Sequence, residues 1–101
     1  MATSAPALPE RDVESTIERV PPYKVVLLDD PVTTMEFVVN VLTHVFHKDA
    51  ETAARLTWEV HTTGASHVAT LPLEQAELKQ ARVHDAAKTA GFPFRCVIEP
   101  V

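Results

Sequence analysis

Cys96 has no cysteine partner anywhere in the 101-residue chain, which excludes an internal disulfide and any multi-cysteine metal site. It lies in an apolar, strand-like run with no base placed beside it, so it is expected to be a buried side chain and not a nucleophile. No apolar run approaches the roughly 18 residues that mark a membrane-spanning helix. The N-terminus has no apolar core of the signal-peptide kind, so an intracellular, cytoplasmic protein is expected. Aromatic residues make up only 6 % of a chain that is 46 % hydrophobic, which predicts a mainly aliphatic core. Nine basic residues stand against fourteen acidic ones, for a formal net charge of −5, and the basic ones are scattered. That balance disfavours nucleic acid as a partner and suits a neutral or cationic one. There is no glycine-rich phosphate loop, and no nucleophile–base–acid set can be assembled from the spacing. A small binding module is therefore expected, and not an enzyme.

What is present is organised around Tyr23-Lys-Val-Val-Leu-Leu-Asp-Asp-Pro-Val-Thr-Thr-Met-Glu-Phe37. Tyr23–Leu28 is apolar and β-prone apart from Lys24. Asp29, Asp30 and Pro31 end that strand, and Pro31 biases Asp30 away from helical geometry. Thr33 is then expected as the N-cap of a helix, with Glu36 completing a capping box and Val32 and Phe37 forming a hydrophobic staple. Two carboxylates would thus stand at a strand end, beside the free N–H groups of the next helix.

The chain divides into an arm, residues 1–22, and a core domain, residues 23–101. Pro6, Pro9, Pro21 and Pro22 interrupt the arm, which is expected to be flexible, with at most a short helical turn over Val13–Val20. The first strand, apolar on nearly both sides, is expected to be central, with helices on at least one face. A helix from about Thr34 to Phe46 follows from the stripe Met35, Val38, Val39, Leu42, Val45 and Phe46. Its valines are poor helix formers, so packing must hold it. Asp49 caps a second helix, Ala50 to about Val60, joined to the first by an αα-corner. Gly64 closes that region, and a strand spans about Ser66–Leu71. Pro72 marks the start of a third helix, Leu73 to Ala90, with Leu73, Ala76, Leu78, Val83, Ala86 and Ala87 on its apolar side and Gly91 as its C-cap. Phe94 to about Glu99 is the last strand. The expected fold is α+β, a small two-layer sandwich with a three-stranded antiparallel sheet, three helices and the order βααβαβ.

His44, His47, His61, His67 and His84 raise the question of a metal. His44 and His47 are three apart on one helix, but no His-Glu-x-x-His motif is present, and no metal or other cofactor is expected. His61 follows core Val60 where the chain turns back toward the sheet, and pattern alone leaves surface, structural and functional roles open. Asp29 and Asp30 are adjacent, and adjacent residues often point different ways, so a paired-carboxylate hydrolase is not supported.

The strand–turn–helix segment resembles the ClpS family, adaptors of the ATP-dependent Clp protease that recognise N-degrons. The family signature is roughly Tyr-Lys-Val-x-Leu-x-Asn-Asp-Asp-x-Thr-Pro-Met-Glu-Phe-Val, and here it stands as Tyr23-Lys-Val-Val-Leu-Leu-Asp-Asp-Pro-Val-Thr-Thr-Met-Glu-Phe-Val38. Val60-His61 followed by Gly64 is a second match, and the likeness runs from about Pro22 to the Phe94-Arg-Cys-Val-Ile-Glu99 strand. It implies a non-enzymatic adaptor that binds the free N-terminal amine and bulky first side chain of a substrate and delivers it to the Clp unfoldase. By position, Asp29, Asp30 and His61 would hold the amine. Thr33, Met35, Thr57, Val60 and Phe94 would line or border the side-chain pocket. Glu74 and Lys79 would face the unfoldase, and the arm would assist delivery. A monomer is the simplest state for such a factor, with N-degron proteins or peptides as its other partners, and with neither nucleic acid nor membrane among them.

The chain departs from the signature at several points. Asp29 replaces an asparagine and can no longer donate to a substrate carbonyl. Pro31 removes a carboxylate and a backbone donor. Thr34 stands for the usual proline, a mild change. Thr57 replaces a methionine common at the pocket rim, so altered or relaxed specificity is expected. The alternatives are a related peptide-binding module without the N-degron preference and, further off, a small hydrolase needing Asp30 or His61.

Overall fold

The structure is a computed structural model that describes residues 21–101, so the expected arm falls outside the described residues except for Pro21 and Pro22. The elements are β1 (Tyr23–Leu28), α1 (Met35–His44), α2 (Ala50–Thr63), β2 (Ala65–Leu71), α3 (Leu73–Ala90) and β3 (Arg95–Pro100). This is the expected βααβαβ order. β1 is central in a sheet ordered β2-β1-β3, antiparallel to both neighbours. Leu27 pairs with Ser66 on one side and Cys96 on the other. Between Val25 and Val26 the β1–β2 register slips by one residue, leaving buried Val68 as the extra residue of a bulge.

One face of the sheet carries the core. Val25 and Leu27 are fully buried against helical residues that include Val38, Val41, Leu42, Leu56, Val60 and Val83. Helix α3 lies on β3 and β1, α2 lies along β2, and α1 packs on α2. Phe37 of α1 meets Phe92 and Phe94 edge-on, with ring centroids 5.2 and 5.8 Å apart, which ties α1 to the loop between α3 and β3, a strand that begins at Arg95, one residue after the expected Phe94. Met35 and Leu78, both expected on apolar stripes, are exposed, and Val41 takes the buried place in α1.

The start of α1 differs from the sequence expectation. Thr34, not Thr33, is the N-cap, and its hydroxyl accepts from the Phe37 N–H. Thr33 is already committed to Asp30, so the capping box with Glu36 does not form, and Val32 stands exposed and cannot staple. The helix also stops at His44, two residues early. His47 adopts a left-handed φ of 56°, and the Lys48 N–H reaches the Leu42 carbonyl, so the corner needs these residues itself. By contrast α2 outlasts its expected end at Val60. Thr62 and Thr63 continue it by donating their hydroxyls to the Trp58 and Glu59 carbonyls, until Gly64 stops it at φ 91°.

The outer edge of β3 is covered from within. The Cys96 N–H donates to His84 Nε2 at 3.1 Å and its carbonyl accepts from Gln80 Nε2 at 2.8 Å. Two side chains of α3 thus occupy backbone groups that would otherwise invite another strand.

Candidate functional site

Asp30 builds the turn that leaves β1. Its Oδ1 accepts from the Val32 N–H (2.8 Å) and the Thr33 N–H (2.9 Å), and its Oδ2 accepts from the Thr33 hydroxyl. Partial burial pushes the carboxyl upward, but the hydrogen bonds from the Thr33 hydroxyl, the Thr33 N–H and the Val32 N–H outweigh it. The net result lies below the ordinary aspartate value. Pro31 fits within this turn because the donors come from the two residues after it. Asp29 is exposed, and its carboxylate makes no hydrogen bond to another described residue.

The turn is fastened to the far end of α2 by the backbone. The Asp29 N–H donates to the Gly64 carbonyl at 3.0 Å, next to the Leu28–Ala65 pair that closes the β1–β2 ladder. His61, exposed, lies three residues before Gly64, about one helical turn away. Asp29 and Asp30 therefore lie at the same end of the sheet as the last turn of α2, which carries His61. The indole of Trp58, 61 % exposed, sits beside the imidazole with ring centroids 6.1 Å apart. Trp58 was not among the sequence-derived site residues, although its i, i+3 spacing from His61 on a helix is the signal that would place it there.

The expected pocket residues differ in exposure. Thr57, Val60 and Phe94 are buried, Met35 at the first position of α1 is exposed, and half-buried Thr33 is held by Asp30. Val32 in the acidic turn and Met35 just after it are exposed apolar side chains, as is Trp58 beside His61 on α2. Glu74 and Lys79 are not brought together. Glu74 is exposed in the first turn of α3, whereas Lys79, ~140° further round the helix, is half-buried and donates from Nζ to the Val45 carbonyl at 2.7 Å. That bond secures the corner after α1, a contact across 34 positions that no local pattern reveals.

Other groups take no part. Burial pushes the Cys96 thiol up to about 12, so it stays protonated and unreactive at neutral pH. His44 turns Nδ1 to the Asn40 carbonyl, and among the described residues no three His, Cys, Asp or Glu side chains are grouped as a metal site. A groove of about 560 Å³ runs along β2 between Lys24, Lys48, Arg55 and Glu99, and none of the expected amine-holding or side-chain-pocket residues lines it. Among the described residues no helix is long and apolar enough to cross a membrane.

Comparison with known proteins gives the same picture. Residues 18–97 match the family of ATP-dependent Clp protease adaptor protein ClpS. The ATP-dependent Clp protease adapter protein ClpS of Nautilia profundicola is 42 % identical over 92 residues, covering 91 % of this chain and 93 % of that protein. The corresponding protein of Nitratidesulfovibrio vulgaris (strain DP4) is 40 % identical over 103 residues, covering 98 % and 99 %. Among solved structures, Agrobacterium tumefaciens ClpS2 bound to L-phenylalaninamide superposes with a TM-score of 0.79 at 36 % identity, over 81 % of this chain and 99 % of that one. The fold coincides with sequence kinship along most of the chain, which belongs to the ClpS family of non-enzymatic adaptors that bind the N-terminal residue of substrates and deliver them to the Clp protease.

Proposed function

We propose that this adaptor grips the free α-amino group of its substrate with Asp29, Asp30 and His61, and receives a bulky first side chain against Thr57, Val60 and Phe94, with Thr33 and Met35 at the border. The observation that carries the reading is the Asp29–Gly64 backbone hydrogen bond, which fixes the acidic turn to the end of the helix bearing His61. An α-ammonium group is a cationic triple donor and needs acceptors that do not move. An internal peptide nitrogen carries no charge and would leave those acceptors unpaired. The relative bound to L-phenylalaninamide, an amine next to an aromatic side chain, supports the same division of labour. Full burial of such a side chain contributes roughly 1.5–3 kcal/mol. The Clp unfoldase would meet a different face, around Glu74. Lys79 would serve that face by holding the corner at Val45. The covered β3 edge supports a monomer as the working state.

The test is binding of short labelled peptides beginning with Leu, Phe, Tyr, Trp, Val or Ile, each beside its N-acetylated twin. Acetylation is expected to weaken binding at least about tenfold, the size of a lost charge-assisted hydrogen bond. Equal binding of both twins would instead favour a peptide-binding module indifferent to the amine. In the same panel Thr57→Met is expected to reorder the first-residue preferences, and an unchanged ranking would remove Thr57 as the source of altered specificity.

A further inference from the structure

We infer that Thr57 is a specificity-determining residue whose hydroxyl accepts a hydrogen bond from the indole N–H of an N-terminal tryptophan. This rests on the amine-and-pocket reading above and adds to it a polar reader inside the pocket. Thr57 is 3 % exposed, and its Oγ1 has no hydrogen-bond partner among the described residues. The same helix shows what a threonine ordinarily does there. Thr62 and Thr63 return their hydroxyls to carbonyls four residues back, at 2.8 and 2.7 Å. Ser66, likewise buried, is bonded to Glu59. Thr57 alone among these leaves its oxygen idle where water does not readily reach it. An idle buried polar atom is costly and calls for an explanation.

Helical geometry supplies one. Thr57 and His61 are four residues apart, so they stand on one face with Cβ atoms roughly 5–6 Å apart. On the amine-and-pocket reading the exposed imidazole stands at the mouth, and the buried hydroxyl lies one helical turn away from it, toward the start of α2. An N-terminal residue held by its amine at the His61 level sends its side chain down toward Thr57. In tryptophan, Nε1 lies five bonds from the α-nitrogen, a reach of roughly 5 Å with ordinary bond lengths. The indole nitrogen is a donor only, which matches a hydroxyl with free acceptor capacity. Phenylalanine and leucine offer no polar atom, and the tyrosine hydroxyl, two bonds further out, passes beyond this level.

The experiment measures affinities of Trp- and Phe-initiated peptides, free and N-acetylated, for the wild type, Thr57→Val and Thr57→Ser. Thr57→Val removes the hydroxyl while keeping the shape, and is expected to lower the Trp-to-Phe affinity ratio about fivefold to tenfold, the worth of one such bond. Thr57→Ser is expected to preserve the ratio. The unliganded Thr57→Val protein should melt a few degrees higher, because the idle oxygen is gone. A ratio unmoved by Thr57→Val with acetylation still blocking binding would overturn this inference alone. A lower melting temperature would show the hydroxyl satisfied within the fold, and would also overturn it. Binding indifferent to acetylation would overturn both this inference and the reading beneath it.

Discussion

Asp30→Ala is expected to weaken binding of amine-bearing peptides about a hundredfold, close to 2.8 kcal/mol at 1.4 kcal/mol per decade. Two effects combine. The substitution removes one of the carboxylates proposed to face the α-ammonium group, and it releases the Val32 N–H, the Thr33 N–H and the Thr33 hydroxyl, all of which converge on Asp30. The released groups lie partly in water, so the cost to folding is only about 1–2 kcal/mol, the lower end for hydrogen bonds to a charged acceptor. Asp30→Asn separates the two roles. It keeps an oxygen for the turn but loses the charge, and it is expected to bind about tenfold more weakly with nearly unchanged stability. Peptide titration beside urea unfolding decides the matter: if Asp30→Asn binds like the wild type, the carboxylate only shapes the turn and does not touch the amine. Acid provides a second check. The folded-state value of Asp30 lies below 3.8, so its stabilising effect is complete above that pH and is lost as pH falls through the lower folded value. The stability gap between wild type and Asp30→Ala should therefore hold steady from pH 7 to about 5 and close below pH 3.8.

The same carboxylate explains where sequence reading slipped. Periodicity and punctuation located β1, α3 and both glycine C-caps, because Gly64 and Gly91 sit at the left-handed positions that end helices, and because β1 is apolar on both faces. The N-cap moved from Thr33 to Thr34 because either threonine could cap, and only Asp30's claim on Thr33 decides between them. Such competition between neighbouring side chains is invisible to spacing rules, which judge each motif alone. The residues of the candidate site were legible as types, a carboxylate pair and a histidine after a core valine. Spacing alone did not bring them together and only the family resemblance implied it, since the link between turn and helix end is one backbone bond between Asp29 and Gly64, 35 positions apart. Lys79 shows the converse: a lysine in a surface pattern turns out to close a helix corner. Likewise the idle hydroxyl of Thr57 depends on what surrounds it in three dimensions, and no sequence rule reports on that.

Leu27→Ala is expected to cost about 3–4 kcal/mol of folding free energy, a large part of the 5–15 kcal/mol that holds a typical domain together. Leu27 has no exposed surface, and its strand is laddered on both sides, to Ser66 and to Cys96. Backbone fixed in that way cannot close around a missing side chain, so the lost transfer energy and the cavity add in full. Val26→Ala gives the contrast, since Val26 is half-buried on the opposite face of the same strand and should cost no more than about 1 kcal/mol. Equilibrium urea unfolding of both variants measures the difference, with a common slope required for the comparison. The site is reached from Leu27 in two steps along the chain, but its geometry depends on the ladder and on the Asp29–Gly64 bond, which the substitution leaves in place. Folded Leu27→Ala should therefore bind peptide normally once corrected for the unfolded fraction. A cost near that of Val26→Ala would mean that the helices do not cover β1 tightly, and the core as described would be wrong. A binding defect in the folded fraction would show instead that strand packing, and not the turn alone, positions Asp29 and Asp30.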